Sequence, residues 1–128
     1  MEENRSSARE NRAFPRRFRL GGNKNYRFVY RRGRSYPSKN LVLIHMKAKE
    51  QQFGFSVSSK VGNAVTRNRI RRYMREDVRN MRANLKCGKY IFVARPALKT
   101  VPHETLTREM SAVLRRANLL REDPSCAD

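Results

Sequence analysis

The stretch from Lys60 to Lys86 (KVGNAVTRNRIRRYMREDVRNMRANLK) constrains the fold more than any other part of this chain. Counted from Ile70, apolar residues recur at offsets of 4, 8, 11 and 15, which is the spacing of one helical face. At about 100° per residue they fall within a sector of roughly 80° that can face a core. We therefore predict a long amphipathic helix whose buried face carries Ile70, Met74, Val78, Met81 and Leu85.

A second sector of this helix is almost entirely cationic. The stretch contains seven arginines and two lysines against two carboxylates, and neither carboxylate lies in that sector. A polyanion would relieve the repulsion among these charges, and the planar fork of arginine suits phosphate. We interpret the sector as a nucleic-acid surface. It spans roughly 100° and contains Asn68, Arg71, Arg72, Arg75, Arg79, Arg82 and Lys86.

Cationic stripes on surface helices are usually just solvated, which is the alternative interpretation. Solvated faces normally alternate Glu with Lys or Arg at i,i+4, whereas this one repeats like charges, as at Arg67–Arg71 and Arg71–Arg75. Arg67 and Arg69 also lie in or near the first turn, where the helix dipole disfavours cations. The pattern therefore favours a nucleic-acid surface over a solvated face.

The overall charge agrees with a polyanionic partner. With 30 Lys and Arg against 11 Asp and Glu, the formal net charge is +19 and the pI is about 11.3. Such a balance indicates nucleic acid or an anionic membrane. No apolar run approaches the length of a membrane span, and the N-terminus lacks a hydrophobic signal stretch. We expect a cytoplasmic protein with no membrane partner and no obligate protein partner.

A chain of 128 residues and 15.1 kDa can bury one modest core. We predict one domain over residues 14–120, between a disordered tail at residues 1–13 and a frayed tail at residues 121–128. Two cysteines are too few for a disulfide framework, so we expect Cys87 to be a free thiol.

The remaining periodicities predict a small two-layer α+β sandwich with a mixed sheet. We expect a short helix at residues 23–32, an edge segment at 35–40, strands at 41–46, 53–58 and 90–94, and a last helix at 102–118. The polar connection at residues 47–52 suggests a hairpin between the first two main strands. The long helix then joins two strands that should be parallel, because such crossovers connect parallel strands. The predicted order is α-β-β-β-α-β-α.

Three residues are expected to mark helix ends. Asn63 has the short polar side chain of an N-cap and precedes the long helix. Gly88 is expected to end that helix, and Gly33 to close the short helix in a left-handed conformation.

Two further patterns bear on binding. Tyr26 and Tyr30 lie one helical turn apart beside arginines, so they can either pack on the sheet or stack on single-stranded bases. The strand at residues 53–58 alternates large and small side chains, which places Gly54, Ser56 and Ser58 on one face. Those small residues can line a shallow groove or accommodate a packed helix.

The chain offers little for catalysis of its own. His45 lies in an apolar strand and His103 in the first turn of the last helix, and an isolated histidine of either kind is usually structural. The carboxylates form no pair suited to two-metal hydrolysis, and no Cys/His cluster has zinc spacing. We therefore expect no catalytic residue and no metal site in the protein, so any reactive groups would belong to something that it binds.

One motif resembles a known family. Residues 55–72 (FSVSSKVGNAVTRNRIRR) are similar to the signature of the bacterial ribonuclease P protein subunit, a strand followed by a K-x-G-N-A-V loop and an R-N-R helix. The similarity extends to Arg19-Leu20, to residues 26–33, to residues 90–96 and to the closing helix, and so covers residues 14–120. It implies a ribosomal protein S5 domain 2-like fold with a left-handed βαβ crossover, against the general right-handed preference.

The resemblance also implies a function. In this family a catalytic RNA subunit, and not the protein, removes the 5′ leader of precursor tRNA with Mg²⁺ that the RNA mainly binds. The implied leader cleft contains Phe18, Tyr26, Tyr30, Ser56 and Ser58. The implied surface for the RNA subunit comprises Lys60, Gly62, Asn63, Arg67, Asn68, Arg69, Arg71, Arg72, Arg75 and Arg79.

Two departures from the family pattern leave this motif intact. Ser59 stands where the family often has a second lysine, and Phe28 occupies a position that is usually polar. The main alternative is a non-enzymatic RNA-binding protein such as a small ribosomal protein, which fits the charge and size equally well. A DNA-compacting protein fits less well, because no dimerisation seam or minor-groove arm is evident.

Overall fold

Seven helices and strands make up residues 16–120, the part of the chain that the computed structural model describes. The helices are α1 (Asn23–Arg32), α2 (Ala64–Met81) and α3 (His103–Arg116). The strands are β1 (Arg34–Pro37), β2 (Leu41–Met46), β3 (Gln51–Ser56) and β4 (Gly88–Ala94). Short 3-10 turns lie at Arg16–Phe18, Arg82–Asn84 and Pro96–Thr100. The predicted α+β class with a mixed sheet is confirmed, and the elements follow in the predicted order.

The four-stranded sheet has the order β1-β2-β4-β3. β4 pairs antiparallel with β2 and parallel with β3, so Phe92 has Leu43 on one side and Phe55 on the other. The predicted parallel unit β3–α2–β4 is therefore present, and the handedness of its crossover stays a prediction. The predicted hairpin between β2 and β3 is wrong, because β4 lies between them.

The main core lies between one face of the sheet and the helices α2 and α3. On the sheet, the rings of Phe53 and Tyr90 stack with their centroids 4.9 Å apart. Burying an apolar side chain of this kind stabilises a fold by about 1.5–3 kcal/mol. The apolar faces predicted for both helices point into this core, through Ile70, Met74 and Val78 of α2 and Leu106, Met110, Val113 and Leu114 of α3.

Helix α1 covers part of the opposite sheet face. Its Val29 packs with Leu20 on Ile44 and Ile91 in a second buried cluster. The left-handed conformation expected for Gly33 is wrong, because its φ is −82°. A Cβ atom on Gly33 would lie 2.6 Å from the carbonyl oxygen of Val29 and 2.9 Å from Cγ2 of Ile44. Close packing of the chain on β2 therefore explains the glycine.

Helix α2 ends earlier than the sequence predicts, at Met81 instead of Gly88. A 3-10 turn follows and leads to Leu85, which is still buried in the main core. Gly88 opens β4 with a φ of +148°, a conformation that other residues rarely adopt. Arg82 and Lys86 therefore lie beyond the helix. The cationic sector of the helix lacks these two residues, which the sequence had assigned to it.

Three other expectations concern the ends of the chain, the cysteine and the membrane. The tails predicted at residues 1–13 and 121–128 lie outside the described residues. Cys87 is disulfide-bonded, so the prediction of a free thiol is wrong. Among the helices of residues 16–120, none combines the length and the apolar character needed to cross a membrane.

Candidate nucleic-acid interface

The loop before α2 is tied to the first turn of the helix. Oδ1 of Asn63 accepts a hydrogen bond from the backbone N–H of Thr66 at 2.9 Å, which confirms the predicted N-cap. Nε of Arg67 donates to the carbonyl oxygen of Gly62 at 3.1 Å. A Cβ atom on Gly62 would lie 3.0 Å from Cβ of Thr66, so the glycine allows this close approach. Lys60 is exposed earlier in the same loop.

Two further arginines are held on opposite sides of α2. Nη2 of Arg69 donates to the carbonyl oxygen of Lys99 at 3.2 Å, in the 3-10 turn after β4. Arg71 donates from Nη2 to the carbonyl oxygen of Val57 at 3.3 Å and from Nη1 to Oδ1 of Asn68 at 3.1 Å. These acceptors are all neutral, so the hydrogen bonds orient the guanidinium groups without cancelling their charge.

The other predicted basic residues continue along the helix. Arg75 and Arg79 follow Arg71 at intervals of about one turn and are half-buried, while Arg72 is exposed. The predicted residues therefore share the loop and one continuous stretch of α2, which together we call the basic surface. It consists of Lys60, Gly62, Asn63, Arg67, Asn68, Arg69, Arg71, Arg72, Arg75 and Arg79.

A cavity of about 400 Å³ lies between α1 and the end of β3, and we call it the tyrosine cavity. Three residues predicted for the leader cleft, Tyr26, Tyr30 and Ser56, line it. Asn23 and Arg27 complete the lining with an amide and a cation. Aromatic rings beside cations and amides are the side chains that bind single-stranded RNA.

The two tyrosines differ in their surroundings. The hydroxyl oxygen of Tyr26 accepts a hydrogen bond from the backbone N–H of Phe55 at 3.2 Å, and burial raises the pKa of this phenol. A Cβ atom on Gly54 would lie 2.6 Å from that hydroxyl, so the glycine makes room for the ring. Tyr30 is 43% exposed. Tyr26 therefore packs on the sheet, which is the first of the two predicted alternatives. The ring of Tyr30 is exposed and accessible to a ligand.

The other two residues predicted for the leader cleft lie elsewhere. Ser58 is exposed after β3, and its hydroxyl oxygen accepts a hydrogen bond from the backbone N–H of Lys60 at 3.3 Å. Phe18 packs against the main core, on the α2 side of the sheet, and lines a second cavity together with Arg17 and Arg82. The structure therefore brings together three of the five predicted residues.

The end of β3 connects the tyrosine cavity to the basic surface. The backbone N–H of Phe55 donates to Tyr26, and the carbonyl oxygen of Val57, two residues later, accepts from Arg71. Ser56 lies between them and lines the cavity. Residues 55–57 therefore link the tyrosine cavity to the basic surface directly.

A cluster around Asp77 was missed by the sequence analysis. Asp77 is only 4% exposed, although it belongs to the basic helix. Its Oδ1 lies 3.0 Å from Nε2 of His103 and accepts a hydrogen bond from the hydroxyl of Thr107 at 2.8 Å. The ring of His103 stacks on Tyr73 with centroids 4.2 Å apart. The signal in the sequence was the position of Asp77, three residues after Met74, at the edge of the apolar sector.

His45, the other histidine, is also half-buried within the fold. Its ring lies against Tyr90 with centroids 4.6 Å apart, and burial lowers the pKa of the imidazole. Both histidines thus occupy structural positions. Within residues 16–120 no group of three or more His, Cys, Asp or Glu side chains is arranged to hold a metal ion.

Comparison with known proteins decides the family. A family model described as Ribonuclease P matches residues 14–118. The chain belongs to the ribonuclease P protein family. This match covers both the basic surface and the tyrosine cavity, and it confirms the resemblance seen in residues 55–72.

Individual relatives agree with this assignment. The ribonuclease P protein component of Exiguobacterium sp. is 36% identical over 104 residues, which cover 80% of this chain and 91% of that protein. The one from Brevibacillus brevis is 34% identical over 113 residues, covering 85% and 90%. The structure of the Staphylococcus aureus RNase P protein has a TM-score of 0.77 at 27% identity, over 81% of this chain and 98% of that one. The ribonuclease P protein fold, and a context of RNA binding and tRNA processing, are therefore shown for this chain.

Proposed function

We propose that this chain binds the catalytic RNA subunit of ribonuclease P together with the 5′ leader of precursor tRNA. The RNA subunit then removes the leader by Mg²⁺-dependent hydrolysis, which gives the mature 5′ end. One observation above all supports the binding of both RNAs by this chain: residues 55–57 contact Tyr26 on one side and Arg71 on the other. A structured RNA and a single strand that emerges from it could therefore be held side by side.

The basic surface is proposed to bind the RNA subunit. Arg69 and Arg71 flank the helix, and neutral acceptors hold their guanidinium groups in place, so each can donate its remaining N–H groups to phosphate. Binding of this kind releases counterions, and its strength therefore falls as salt concentration rises. The charges on successive turns of α2, which repel each other in the free protein, would then face phosphates.

The tyrosine cavity is proposed to hold the leader. Tyr30 offers an open ring on which a base can stack, a contact worth about 1–3 kcal/mol per base. Arg27 can neutralise a nearby phosphate, and the amide of Asn23 can donate to a base or accept from it. Such contacts tolerate many sequences, which suits a leader that differs between precursor tRNAs.

Catalysis is proposed to belong to the RNA. Mg²⁺, bound mainly by the RNA subunit, would supply the activated water and stabilise the leaving oxygen. The residues of this chain bind, orient and neutralise. Their charge would lower the repulsion between RNA subunit and precursor tRNA, so that the complex forms at a lower Mg²⁺ concentration.

Reconstitution tests the proposal directly. Cleavage of precursor tRNA is measured with the RNA subunit alone and with the RNA subunit plus this chain, at a Mg²⁺ concentration where the RNA alone cleaves poorly. We expect the chain to restore cleavage at the mature 5′ end. A synthetic polyarginine of equal charge is the control for nonspecific neutralisation. Cleavage that the chain leaves unchanged would reject the proposal and would favour a non-enzymatic RNA-binding role.

A further inference from the structure

The cavity that contains Phe18 is a second candidate site, and nothing in the proposed function uses it. Its volume is about 470 Å³, which lies in the range of small-molecule sites. It lies between the 3-10 turn Arg16–Phe18, the start of β3 and the 3-10 turn Arg82–Asn84 that follows α2. Side chains in its wall include Arg17, Phe18, Glu50, Gln52 and Arg82. We call it the phenylalanine cavity.

Two guanidinium groups share one aromatic ring in this cavity. Cζ of Arg82 lies 3.9 Å and Cζ of Arg17 lies 4.7 Å from the centroid of the Phe18 ring. Such contacts are favourable individually, but they hold two like charges close together. Burial and the charge of Arg17 both lower the pKa of Arg82. An anion between the two groups would relieve this repulsion.

Neither arginine has an anionic partner among residues 16–120. Within the described part of the chain, no carboxylate oxygen lies in ion-pair range of Arg17 or Arg82. Glu50 belongs to the same wall but makes no ion pair with them. Nε of Arg82 is buried and has no hydrogen-bond partner there. Buried donors usually find acceptors in a folded protein, so the unmatched Nε–H of Arg82 points to a ligand.

The walls of the cavity are fixed before any ligand binds. Gln51 is 8% exposed, and its Nε2 donates to the carbonyl oxygens of Arg82 at 2.8 Å and Leu85 at 3.2 Å. The opposite wall is tied to the same strand, because the backbone N–H of Leu20 donates to the carbonyl oxygen of Phe53 at 2.8 Å. A preformed site loses less conformational entropy on binding than one that must first be ordered.

From these contacts we infer that the phenylalanine cavity binds one nucleotide of single-stranded RNA. Its phosphate would lie between the guanidinium groups of Arg17 and Arg82, whose forks match phosphate oxygens. Its base would pack beside Phe18, as unstacked bases do on aromatic side chains. Glu50 disfavours a bare anion but can accept a hydrogen bond from the exocyclic amino group of a base. This carboxylate therefore points to a nucleotide that carries such a group, with cytosine as the simplest case.

The site is separate from the tyrosine cavity. Phe18 packs against the core on the α2 side of the sheet, whereas Tyr26 packs against the cluster on the α1 side. The two cavities share no lining residue, and they lie at opposite ends of β3, one beside Gln51 and Gln52 and the other beside Ser56. Binding in the phenylalanine cavity does not depend on the proposed docking of the RNA subunit, and it can be measured on the chain alone.

The test uses the full chain labelled with ¹⁵N and titrated with cytidine 5′-monophosphate at low salt. We expect saturable shifts of the backbone amides of Phe18, Gln52 and Ala83. Arg17→Gln should weaken binding by about tenfold, because a charge-assisted hydrogen bond is lost. Arg17 is exposed, so this variant should fold normally. Cytidine and inorganic phosphate should each bind at least about tenfold more weakly than the nucleotide, because each lacks one half of the contacts.

A charge-matched control separates a built site from general attraction. Arg108→Gln removes the same charge at an exposed position of α3 that does not line the cavity. It should leave binding of cytidine 5′-monophosphate unchanged. Three results would overturn the inference: shifts confined to the tyrosine cavity, equal weakening by both variants, or phosphate that binds as tightly as the nucleotide. A negative reconstitution experiment would leave the titration unaffected, so the two proposals fail independently.

Discussion

Oδ1 of the buried Asp77 lies 3.0 Å from Nε2 of His103, which joins the basic helix α2 to the closing helix α3. Thr107 donates a second hydrogen bond to the same oxygen at 2.8 Å. Burial is the largest influence on this carboxyl, and it raises the pKa of Asp77 despite these favourable contacts. The helix that carries the basic surface is thus anchored by Asp77, whose carboxylate binds a proton more tightly in the folded protein than in the unfolded chain.

The first prediction concerns the pH dependence of this anchor. A carboxyl whose folded pKa lies above its unfolded value stabilises the fold most below the unfolded pKa, and that contribution is lost as pH rises through the folded pKa. Thr107→Val removes a hydrogen bond that lowers the pKa of Asp77. The variant should therefore lose stability relative to the wild type as pH rises above the ordinary value of 3.8.

Urea unfolding at a series of pH values measures this difference. Thr105→Val, on the same helix, is the control and should show the wild-type pH dependence. A constant difference between Thr107→Val and the wild type over the acidic range would contradict the prediction, because it would mean that the hydroxyl does not act on a titrating group.

The second prediction concerns Glu109, whose pKa moves in the other direction. Its carboxylate accepts hydrogen bonds from the hydroxyl of Ser38 at 2.6 Å and from the backbone N–H and side-chain amide of Asn40 at 2.6 and 2.8 Å. Burial opposes these contacts, but together they hold the pKa of Glu109 below its usual value. The stability that it contributes is therefore present above the unfolded pKa and is lost as pH falls through the folded pKa.

Glu109→Gln should lower the free energy of unfolding at neutral pH by about 1–2 kcal/mol, because a charged acceptor of three hydrogen bonds is lost. The deficit should shrink on acidification. Glu104→Gln is a matched control on the same helix, since Glu104 makes only an exposed i,i+4 pair with Arg108 at 3.8 Å. It should cost less than about 1 kcal/mol, from the lost pair and from the lost negative charge in the first turn of α3. Equal losses for both variants would show that the contacts of Glu109 are not specific.

A third prediction concerns the space under Tyr26. In Gly54→Ala the new methyl group would lie 2.6 Å from the hydroxyl oxygen of Tyr26, so the ring must move. We expect a loss of about 1–3 kcal/mol of stability from overpacking, together with weaker binding of a leader oligonucleotide. Gly21→Ala is the control, because its Cβ would meet no atom within 4 Å. Unchanged leader affinity in Gly54→Ala would separate Tyr26 from the leader site.

A fourth prediction distinguishes stacking from packing at Tyr30. Tyr30→Ala should weaken binding of a leader-bearing precursor tRNA by about 1–3 kcal/mol, the value of one stacked base. Stability should change little, because the side chain is 43% exposed. Phe28→Ala removes a ring of similar exposure, 38%, from the same helix but outside the tyrosine cavity. Identical effects of the two substitutions on affinity would argue against a specific leader cavity.

A fifth prediction addresses the basic surface. Replacing Arg67 and Arg69 by Ala should weaken assembly with the RNA subunit and reduce the slope of log affinity against log salt by about one for each lost phosphate contact. The control removes two exposed charges of α3, Arg108→Gln with Arg115→Gln, and should change assembly much less. Assembly that the double alanine variant leaves unaffected would show that the RNA docks elsewhere.

The sequence predicted local features of the fold better than distant ones. The bounds of α1 match the prediction, residues 23–32, because a helix is specified by spacings within a few residues. The parallel pairing of β3 with β4 was predicted correctly, but the hairpin of β3 with β2 was wrong, because alternation identifies a strand without naming its neighbours. The glycine at position 33 is explained by β2, which packs against it, and such a contact between distant segments leaves no local pattern.

In the candidate site, too, local features could be predicted from the sequence and contacts between distant segments could not. The basic surface lies on one loop and one helix, so the sequence could assemble it. The tyrosine cavity needs α1 and β3 together, and only the three-dimensional fold shows that Phe18 lies on the other side of the sheet. Asp77 was missed because a charged residue was assumed to face solvent, although its position beside Met74 indicated otherwise.

The position of β4 has a consequence for synthesis on the ribosome. This inner strand begins at residue 88 of a chain of 128 residues, so β2 and β3 emerge long before the strand that separates them. Until then each has an open edge, and the nascent chain already carries most of its cations. The sheet can close only after β4 has been synthesised, and non-local pairing of this kind slows folding. A nascent chain would thus expose most of its positive charge to polyanions before its sheet has folded.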